Sequence, residues 1–377
     1  MLARLLVTLL ATSAADPVAD GGAPVPPPHA EPLVIAHRGA SALLPEHTLA
    51  AYARAIADGG DWIEPDLVAT RDGVLVARHE NGIGDTTDVA SHPEFADRRR
   101  VQWIDGREVE DWFTEDFTLA ELKTLHARER LPVLRGDARD GRYPVPTLEE
   151  IIDLVARESV ARGRVIGLVP ELKHPSHFQA LGLALEPRLL SVLRGHSYTR
   201  RAPVWVQSFE VGNLRALRAA LAPDETHVRL LQLLGPVHMA PPDQAAAGTG
   251  LAYGRMMTAA GLRAIATYAD GIGPPTRSVI PVGPDGALGA PTTLVADAHA
   301  VGLQVLPYTF RPEDPFLPPA LRADGPQARN EAGSISEIRA YLEAGIDGFF
   351  ADDPALGLRA VEAARRPAET RPASGRP

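Results

Sequence analysis

From residue 33 onward, short apolar runs alternate with longer stretches of helical periodicity. Eight such runs can be counted, the number that closes a barrel, and the turn after the first lacks the GxGxxG pattern that opens a doubly wound sheet. These three observations predict an α/β protein, specifically a TIM (β/α)8 barrel with a small insertion after the second strand. A chain of 377 residues fits one such domain once insertions are allowed.

The predicted strands, in order, are LVIAH (33–37), WIEPDLV (62–68), RVIGLVPEL (164–172), PVWVQSF (203–209), HVRLLQLL (227–234), DGIG (270–273), LQVLPYT (303–309) and GIDGFFA (345–351). Most are rich in Val, Ile and Leu, as strands covered on both faces are. Thr48 is placed to cap a helix over LAAYARAIADGG, and Thr147 with Glu150 forms a capping box ahead of IIDLVARES. Further helices are predicted around 176–194, 210–221, 256–267, 292–301 and 334–344. The segment VLVARHE reads as a hairpin strand following the second strand. Residues 81–146 carry mixed charges, Trp103, Trp112 and turn residues, too long a stretch for a simple loop, and so form the insertion. The Pro- and Gly-rich stretches 235–291 and 311–333 are assigned to the rim of the same barrel.

The chain ends read differently. Arg4, an apolar run from Leu5 to Ala11 interrupted by Thr8, and the small residues Ser13, Ala14 and Ala15 predict a signal peptide over 1–15. Residues 16–32 read as a Pro-rich linker, 33–365 as the barrel domain and 366–377 as a disordered tail. The expected location is therefore outside the cytoplasm, periplasmic or secreted. A stable membrane anchor is not expected, because the apolar run falls short of the ~20 residues that span a bilayer.

A formal net charge of −10 argues against nucleic acid as a partner, since phosphate neutralisation needs clustered Lys and Arg. Zero cysteines exclude a thiol nucleophile, a disulfide framework and a Cys-ligated zinc. Hydrophobic residues at 45% and charged residues at 23% suit a globular protein with a real core. Nothing in the sequence specifies the oligomeric state.

Side chains at the C-terminal ends of barrel strands converge on one mouth. The first strand ends at His37-Arg38-Gly39. The second carries Glu64 and Asp66 two residues apart, so both carboxylates point to the same side. The hairpin leads to His79, and the third strand ends in Glu171-Leu172-Lys173. Three carboxylates in apolar surroundings need a cation, and oxygen donors of this kind suit one divalent ion, Ca²⁺ or Mg²⁺. His37 and His79 could exchange protons with a substrate, while Arg38 and Lys173 face an anion, a set matched to a phosphodiester. Glu46 and His47, in PEHT, read equally well as substrate-contacting groups and as flanking residues of the next helix.

HRG followed by PEHT, E-x-D, His79 and Glu171-Leu172-Lys173 resembles the glycerophosphodiester phosphodiesterases, most closely their periplasmic bacterial branch. DLVATRDGVLVARHE, TDVA, DFTLAELKTL, PTLEE, the QSF of 207–209 and DGFFADDP extend the likeness over about residues 33–360. The resemblance implies a TIM-barrel metal enzyme that cleaves deacylated glycerophospholipids to sn-glycerol 3-phosphate and an alcohol, through a cyclic phosphate. It maps metal ligation onto Glu64, Asp66 and Glu171, acid-base work onto His37 and His79, and phosphate contact onto Arg38 with Lys173 nearby. The chain departs from the family pattern at His79-Glu80, where His-Asp is common, at Gly82-Ile83-Gly84-Asp85, and at Pro65 between the two acids. Sphingomyelinase-D-like phospholipases acting on lysolipid or sphingolipid share the histidines and the E-x-D pair, but their disulfide-held loop is impossible without cysteine. A non-catalytic exported anion-binding barrel is the third reading, disfavoured because every acid-base position holds a competent side chain.

Overall fold

The structure is a computed structural model describing residues 31–323 and 329–365. The expected signal peptide, all but two residues of the linker and the expected tail lie outside the described residues. Among the described residues no helix is long and apolar enough to cross a membrane.

The fold is α/β with a largely parallel sheet. Strands β1 (Leu33–His37), β2 (Trp62–Glu64), β3 (Asp66–Ala69) and β4 (Leu75–Ala77) precede a small antiparallel hairpin, β5 (Arg100–Ile104) and β6 (Arg107–Asp111). Then come β7 (Gly167–Leu168), β8 (Glu171–Leu172), β9 (Val204–Ser208), β10 (Val228–Leu233), β11 (Gly271–Gly273), β12 (Gln304–Val305) and β13 (Gly348–Ala351). The main sheet runs β12-β11-β10-β9-β7-β2-β1-β13, with β3, β4 and β8 attached beside it. Between its two ends, Asp347 N–H donates to Val305 O at 3.0 Å and Phe350 N–H to Pro307 O at 3.1 Å.

Alternation along the strands sorts the core into two parts. Ile35, Val169, Trp205, Leu231, Leu233, Leu306 and Phe350 pack together on one face. Their neighbours Val34, Ala36, Phe349 and Ala351 turn to the other face and join a larger core against the helices. This period of two is what a pleated strand buried on both faces requires.

Two predicted strands are broken, both at proline. Pro65 has no N–H to donate, and the chain changes partners there: β2 pairs with β1 and β7, whereas β3 pairs with β4 and β8. Pro170 separates β7 from β8 in the same way. The carbonyls of both prolines stay in use, accepting from Glu171 N–H and Gln207 N–H at 2.9 Å each.

The helices α1 (Leu49–Ala57), α2 (Leu119–Leu122) and α4 (Leu148–Arg162) follow threonine caps, whereas α3 (Pro132–Arg135) starts on a proline with no capping side chain. Thr48 accepts from Ala51 N–H, and Thr147 and Glu150 complete the capping box of α4. The helix expected over 176–194 divides into α5 (Pro175–Ala180) and α6 (Leu185–Gly195), because Gly182 takes a left-handed φ of 73°. The helix expected over 256–267 likewise divides, into 253–256 and 259–265, where Thr258 caps the second piece. Residues 81–146 contain β5, β6, α2, α3 and three short 3₁₀ turns.

The turn after β1 sets the site. Arg38 and Gly39 have φ of 58° and 87°, and Ala40 N–H donates to Ala51 O, tying the turn to α1. A Cβ on Gly39 would lie 2.7 Å from the backbone carbon of Ala51. Gly39→Ala should therefore lower unfolding free energy by more than about 2 kcal/mol, through strain and a backbone clash together. Gly106→Ala, at a positive φ but with nothing within 4 Å, should cost about 1 kcal/mol. Urea unfolding of the two variants checks this, and equal costs would remove the close-approach argument.

Candidate active site

The site is assembled at strand ends. β1 and β2 run in register so that His37 lies beside Glu64. The left-handed turn at Arg38 aims its backbone N–H at Glu64 Oε2, 2.7 Å away, and its Nη1 donates to Glu46 Oε2 at 2.9 Å. Arg38 Nε stands 3.5 Å from Asp66 Oδ2. Behind the turn, the fully buried Arg78 donates to the carbonyls of Ala77, Thr86, Glu46 and His47, fixing the loop that carries Glu46.

Glu64, Asp66 and Glu171 converge, each offering an oxygen within 4.8 Å of the others, and all three are buried. The register of β3 with β8 puts Asp66 beside Glu171. Burial and the mutual repulsion of the three push Glu64 well above the usual carboxylate range; burial and Asp66 raise Glu171 to about 8, against the pull of Lys173. Asp66 is the exception: although burial opposes ionisation, Lys173 and His47 hold it well below its ordinary value. Lys173 Nζ donates to Glu171 Oε1 at 2.8 Å and stands 3.8 Å from Asp66 Oδ1. His47 Nε2–H donates to Asp66 Oδ2 at 2.8 Å, and the hydroxyl of Tyr52 pairs with its Nδ1 at 2.8 Å. Asp66 Oδ1 and Gln207 Oε1 are buried without a hydrogen-bond partner. A buried anionic oxygen left over amid three carboxylates fits a hard divalent cation held by Glu64, Asp66 and Glu171.

Two imidazoles flank the cluster, each set by a carboxylate. His37 Nδ1–H donates to Asp352 Oδ1 at 2.6 Å, and the other oxygen of Asp352 accepts from Arg135 at 2.6 Å and Arg311 at 3.2 Å. His79 Nδ1 makes a short bond to Glu80. Burial, then Arg38, lowers His37 to about 4; burial, Arg38 and Lys173 lower His79 to about 3. Both rings are thus neutral near pH 7, with Nδ1 protonated and Nε2 left as a proton acceptor. His79 is less covered than His37, its side chain 28% exposed against 10%. Glu46 accepts from both Arg38 and Arg130, with Arg130 Nη2 at 2.7 Å, so it faces cations of the protein itself.

The glycerophosphoryl diester phosphodiesterase family model matches residues 37–356, beginning at the imidazole that ends β1. The chain belongs to this family. It is a glycerophosphodiester phosphodiesterase, a hydrolase. It is 35% identical over 335 residues to the glycerophosphodiester phosphodiesterase GDPD6 of Arabidopsis thaliana, covering 85% of this chain and 83% of that one. To the glycerophosphodiester phosphodiesterase of Haemophilus influenzae it is 29% identical over 297 residues, covering 74% and 79%. Among solved structures, one described as a glycerophosphoryl diester phosphodiesterase from Silicibacter pomeroyi superposes with a TM-score of 0.62 at 25% identity, covering 89% of this chain and 95% of that one. An Oleispira antarctica phosphodiesterase, solved with the product sn-glycerol-3-phosphate, shares the fold with a TM-score of 0.57 at 20% identity, over 88% and 97%.

Several polar groups of this phosphodiesterase escape strand-by-strand reading. Asp352 ends the last strand in DGFFADDP, and the strand-end reasoning applied to His37 and Glu171 would have found it. Gln207, which donates to Glu64 Oε1 at 3.0 Å, stands one residue before the end of β9. Arg130, Arg135, Asp105 and Glu115 have no such signal, because they lie in the segment 81–146 and reach the site only through tertiary packing. Asp105, at the tip of the β5-β6 hairpin, accepts from His174 at 2.7 Å, and Glu115 accepts from His177 at 2.8 Å.

The raised Glu171 has a pH consequence. A carboxyl whose folded value exceeds its unfolded one, about 4.3, stabilises the fold below that pH and loses the contribution as pH rises through about 8. In chelator, Glu171→Gln should therefore gain stability relative to the parent chain between pH 5 and pH 8. Urea melts at several pH values measure the difference, and a flat difference would show that Glu171 ionises normally.

Proposed function

We propose that this enzyme hydrolyses glycerophosphodiesters, the deacylated phospholipids, to sn-glycerol 3-phosphate and an alcohol, with one divalent cation, Ca²⁺ or Mg²⁺. The observation that carries this reading is the buried Glu64-Asp66-Glu171 cluster, in which Asp66 Oδ1 accepts no hydrogen bond, together with Arg38, Lys173 and two carboxylate-oriented imidazoles. The product bound to the Oleispira protein is of the class such a site suits. Family membership supports the reaction, and the donor set supports the ion.

The bound cation would supply charge stabilisation at a phosphoryl oxygen, held by Glu64, Asp66 and Glu171. Arg38, fixed by Glu46, contacts the non-bridging oxygens, with Lys173 alongside. One of His37 and His79 accepts the proton of the glycerol 2-hydroxyl as that oxygen attacks phosphorus and the alcohol leaves, giving a cyclic phosphate. The other, protonated at Nε2 once the phosphodiester anion is bound beside it, delivers that proton to the departing alkoxide; water then opens the ring, giving a proton to this second imidazole while the first returns its own to the 2-oxygen. Asp352 and Glu80 stabilise the imidazolium that forms, as a carboxylate behind a catalytic imidazole does. Glu46 acts through Arg38 rather than on the substrate, since a carboxylate repels a phosphodiester.

The bonds from Asp347 to Val305 and from Phe350 to Pro307 support closure of the sheet into a (β/α)8 barrel whose mouth holds the site. The charge and hydropathy pattern of residues 1–15 supports export to the periplasm or beyond.

Release of glycerol 3-phosphate from glycerophosphocholine and glycerophosphoethanolamine tests the function. Activity should vanish in chelator and return with Ca²⁺ or Mg²⁺, and His37→Ala or His79→Ala should lower kcat by about 10²–10⁴. Full turnover in chelator would remove the ion from the mechanism, and cleavage of lysolipid or sphingomyelin alone would replace the substrate class.

A further inference from the structure

Two arginines five positions apart reach both halves of the site from the segment around α3. Arg135, its side chain 6% exposed, donates through Nη2 to Asp352 Oδ2 at 2.6 Å, through Nε to Glu313 Oε1 at 2.6 Å and through Nη1 to Ser41 O at 2.8 Å. Ser41 in turn donates its hydroxyl to His37 O at 2.8 Å. Arg130 spans two carboxylates. Its Nη2 lies 2.7 Å from Glu46 Oε1 and 2.7 Å from Glu80 Oε2, its Nε donates to Glu46 at 3.0 Å and its Nη1 to Glu80 Oε1 at 3.2 Å. Glu80 orients His79, and Glu46 holds Arg38.

The segment that carries them is fastened where it begins. Arg128 N–H donates to Thr86 O at 2.9 Å, Ala127 N–H to Tyr143 O at 2.8 Å, and Glu129 N–H to Asp140 Oδ1 at 2.7 Å. Leu131 N–H donates to Glu129 Oε1 at 2.9 Å, setting the turn into α3.

We propose that Arg130 and Arg135 are positioning residues that lock the tautomers of the two imidazoles, Arg135 through Asp352 to His37 and Arg130 through Glu80 to His79. A carboxylate has lone pairs for several donors. With Arg135 Nη2 on Asp352 Oδ2 and Arg130 on both oxygens of Glu80, each carboxylate is fixed in direction and stays ionised, so the ring must present Nδ1–H to it. Nε2 is then the atom that exchanges protons with the substrate. Arg130 does a second thing at once: by holding Glu46 and Glu80 in one fork, it sets the phosphate-facing Arg38 and the proton-transferring His79 at a fixed separation. Lysine could keep the charge but not the fork across two carboxylates.

The inference rests on the phosphodiesterase reading for its kinetic test, and a second measurement stands apart from it. Arg130→Met and Arg135→Met should each lower kcat on glycerophosphocholine by about 10–100-fold, the range typical of a partner one bond removed from a catalytic group. KM should move by less than about threefold, and the Lys variants should recover part of the loss. Val133→Ala, on the exposed face of the same segment, should leave turnover unchanged. The decisive comparison is a pair of cycles: in a His37→Ala background Arg135→Met should cost nothing further in kcat, and in a His79→Ala background Arg130→Met should cost at most what its hold on Arg38 contributes. Independently of turnover, ¹⁵N spectra of histidine-labelled protein with the cation bound should show the Nδ1–H form of His37 losing population in Arg135→Met, and that of His79 in Arg130→Met.

Unchanged kcat in the Met variants, or an undiminished Arg135→Met loss in the His37→Ala background, would overturn the proposal. So would a loss confined to KM, which would make the arginines substrate contacts. If the parent chain cleaves no glycerophosphodiester, the proposed function fails, and the tautomer spectra still decide the role of the arginines: unchanged tautomers in folded variants would overturn it.

Discussion

Three carboxylates buried within 4.8 Å of one another are the constraint around which the rest of the molecule is organised. Like charges out of water repel and each loses hydration, so the arrangement persists only where positive charge is brought to it. Lys173 and Arg38 supply fixed charge, and His47 donates a hydrogen bond to Asp66 without carrying charge itself. That supply is uneven. Asp66 is stabilised as an anion, while Glu64 and Glu171 are held toward their protonated forms. A site in that condition is consistent with a divalent cation, which would relieve what the protein's own cations leave over.

The backbone is bent to make this meeting possible. Arg38 and His47 are non-glycine residues at φ of 58° and 55°, and His47 N–H closes on Arg38 O. Strained backbone of this kind persists where surrounding contacts over-determine it, here Arg78 beneath and α1 behind. Pro65 makes its own contribution. By ending one strand partnership and starting another between Glu64 and Asp66, it lets the two acids belong to different strand pairs while their side chains stay together.

The site is also built by a segment outside the repeating strand-helix pattern. Residues 130–135 deliver guanidinium groups to the carboxylates that orient both imidazoles, and residues 105 and 115 engage His174 and His177 just beyond Lys173. Strand ends and the turn after β4 thus carry the acidic triad, Arg38, Lys173 and the two imidazoles, and the segment 81–146 carries side chains that hold their partners in direction. Glu46, drawn from the sequence as a candidate substrate contact, shows the distinction: it is occupied on both oxygens by Arg38 and Arg130.

What the sequence determined by itself was the α/β alternation, the positions of most strands, the helix caps at Thr48 and Thr147, and the oxygen-rich triad with its neighbouring His and Arg. Those features follow from local physics: strand periodicity, capping chemistry and the i, i+2 geometry of Glu64 and Asp66 act within a few residues. The breaks at Pro65 and Pro170 were within reach of the same reasoning, since a missing N–H is a local fact. Only the tertiary structure decided that Asp352 turns back to His37 across 315 positions, that Arg135 reaches Asp352 across 217, and that Arg130 joins Glu46 to Glu80. No periodicity marks such pairs, because which charges meet is settled by how the strands stack in register and where the segment from 81 to 146 comes to rest, and that is a property of the packed whole.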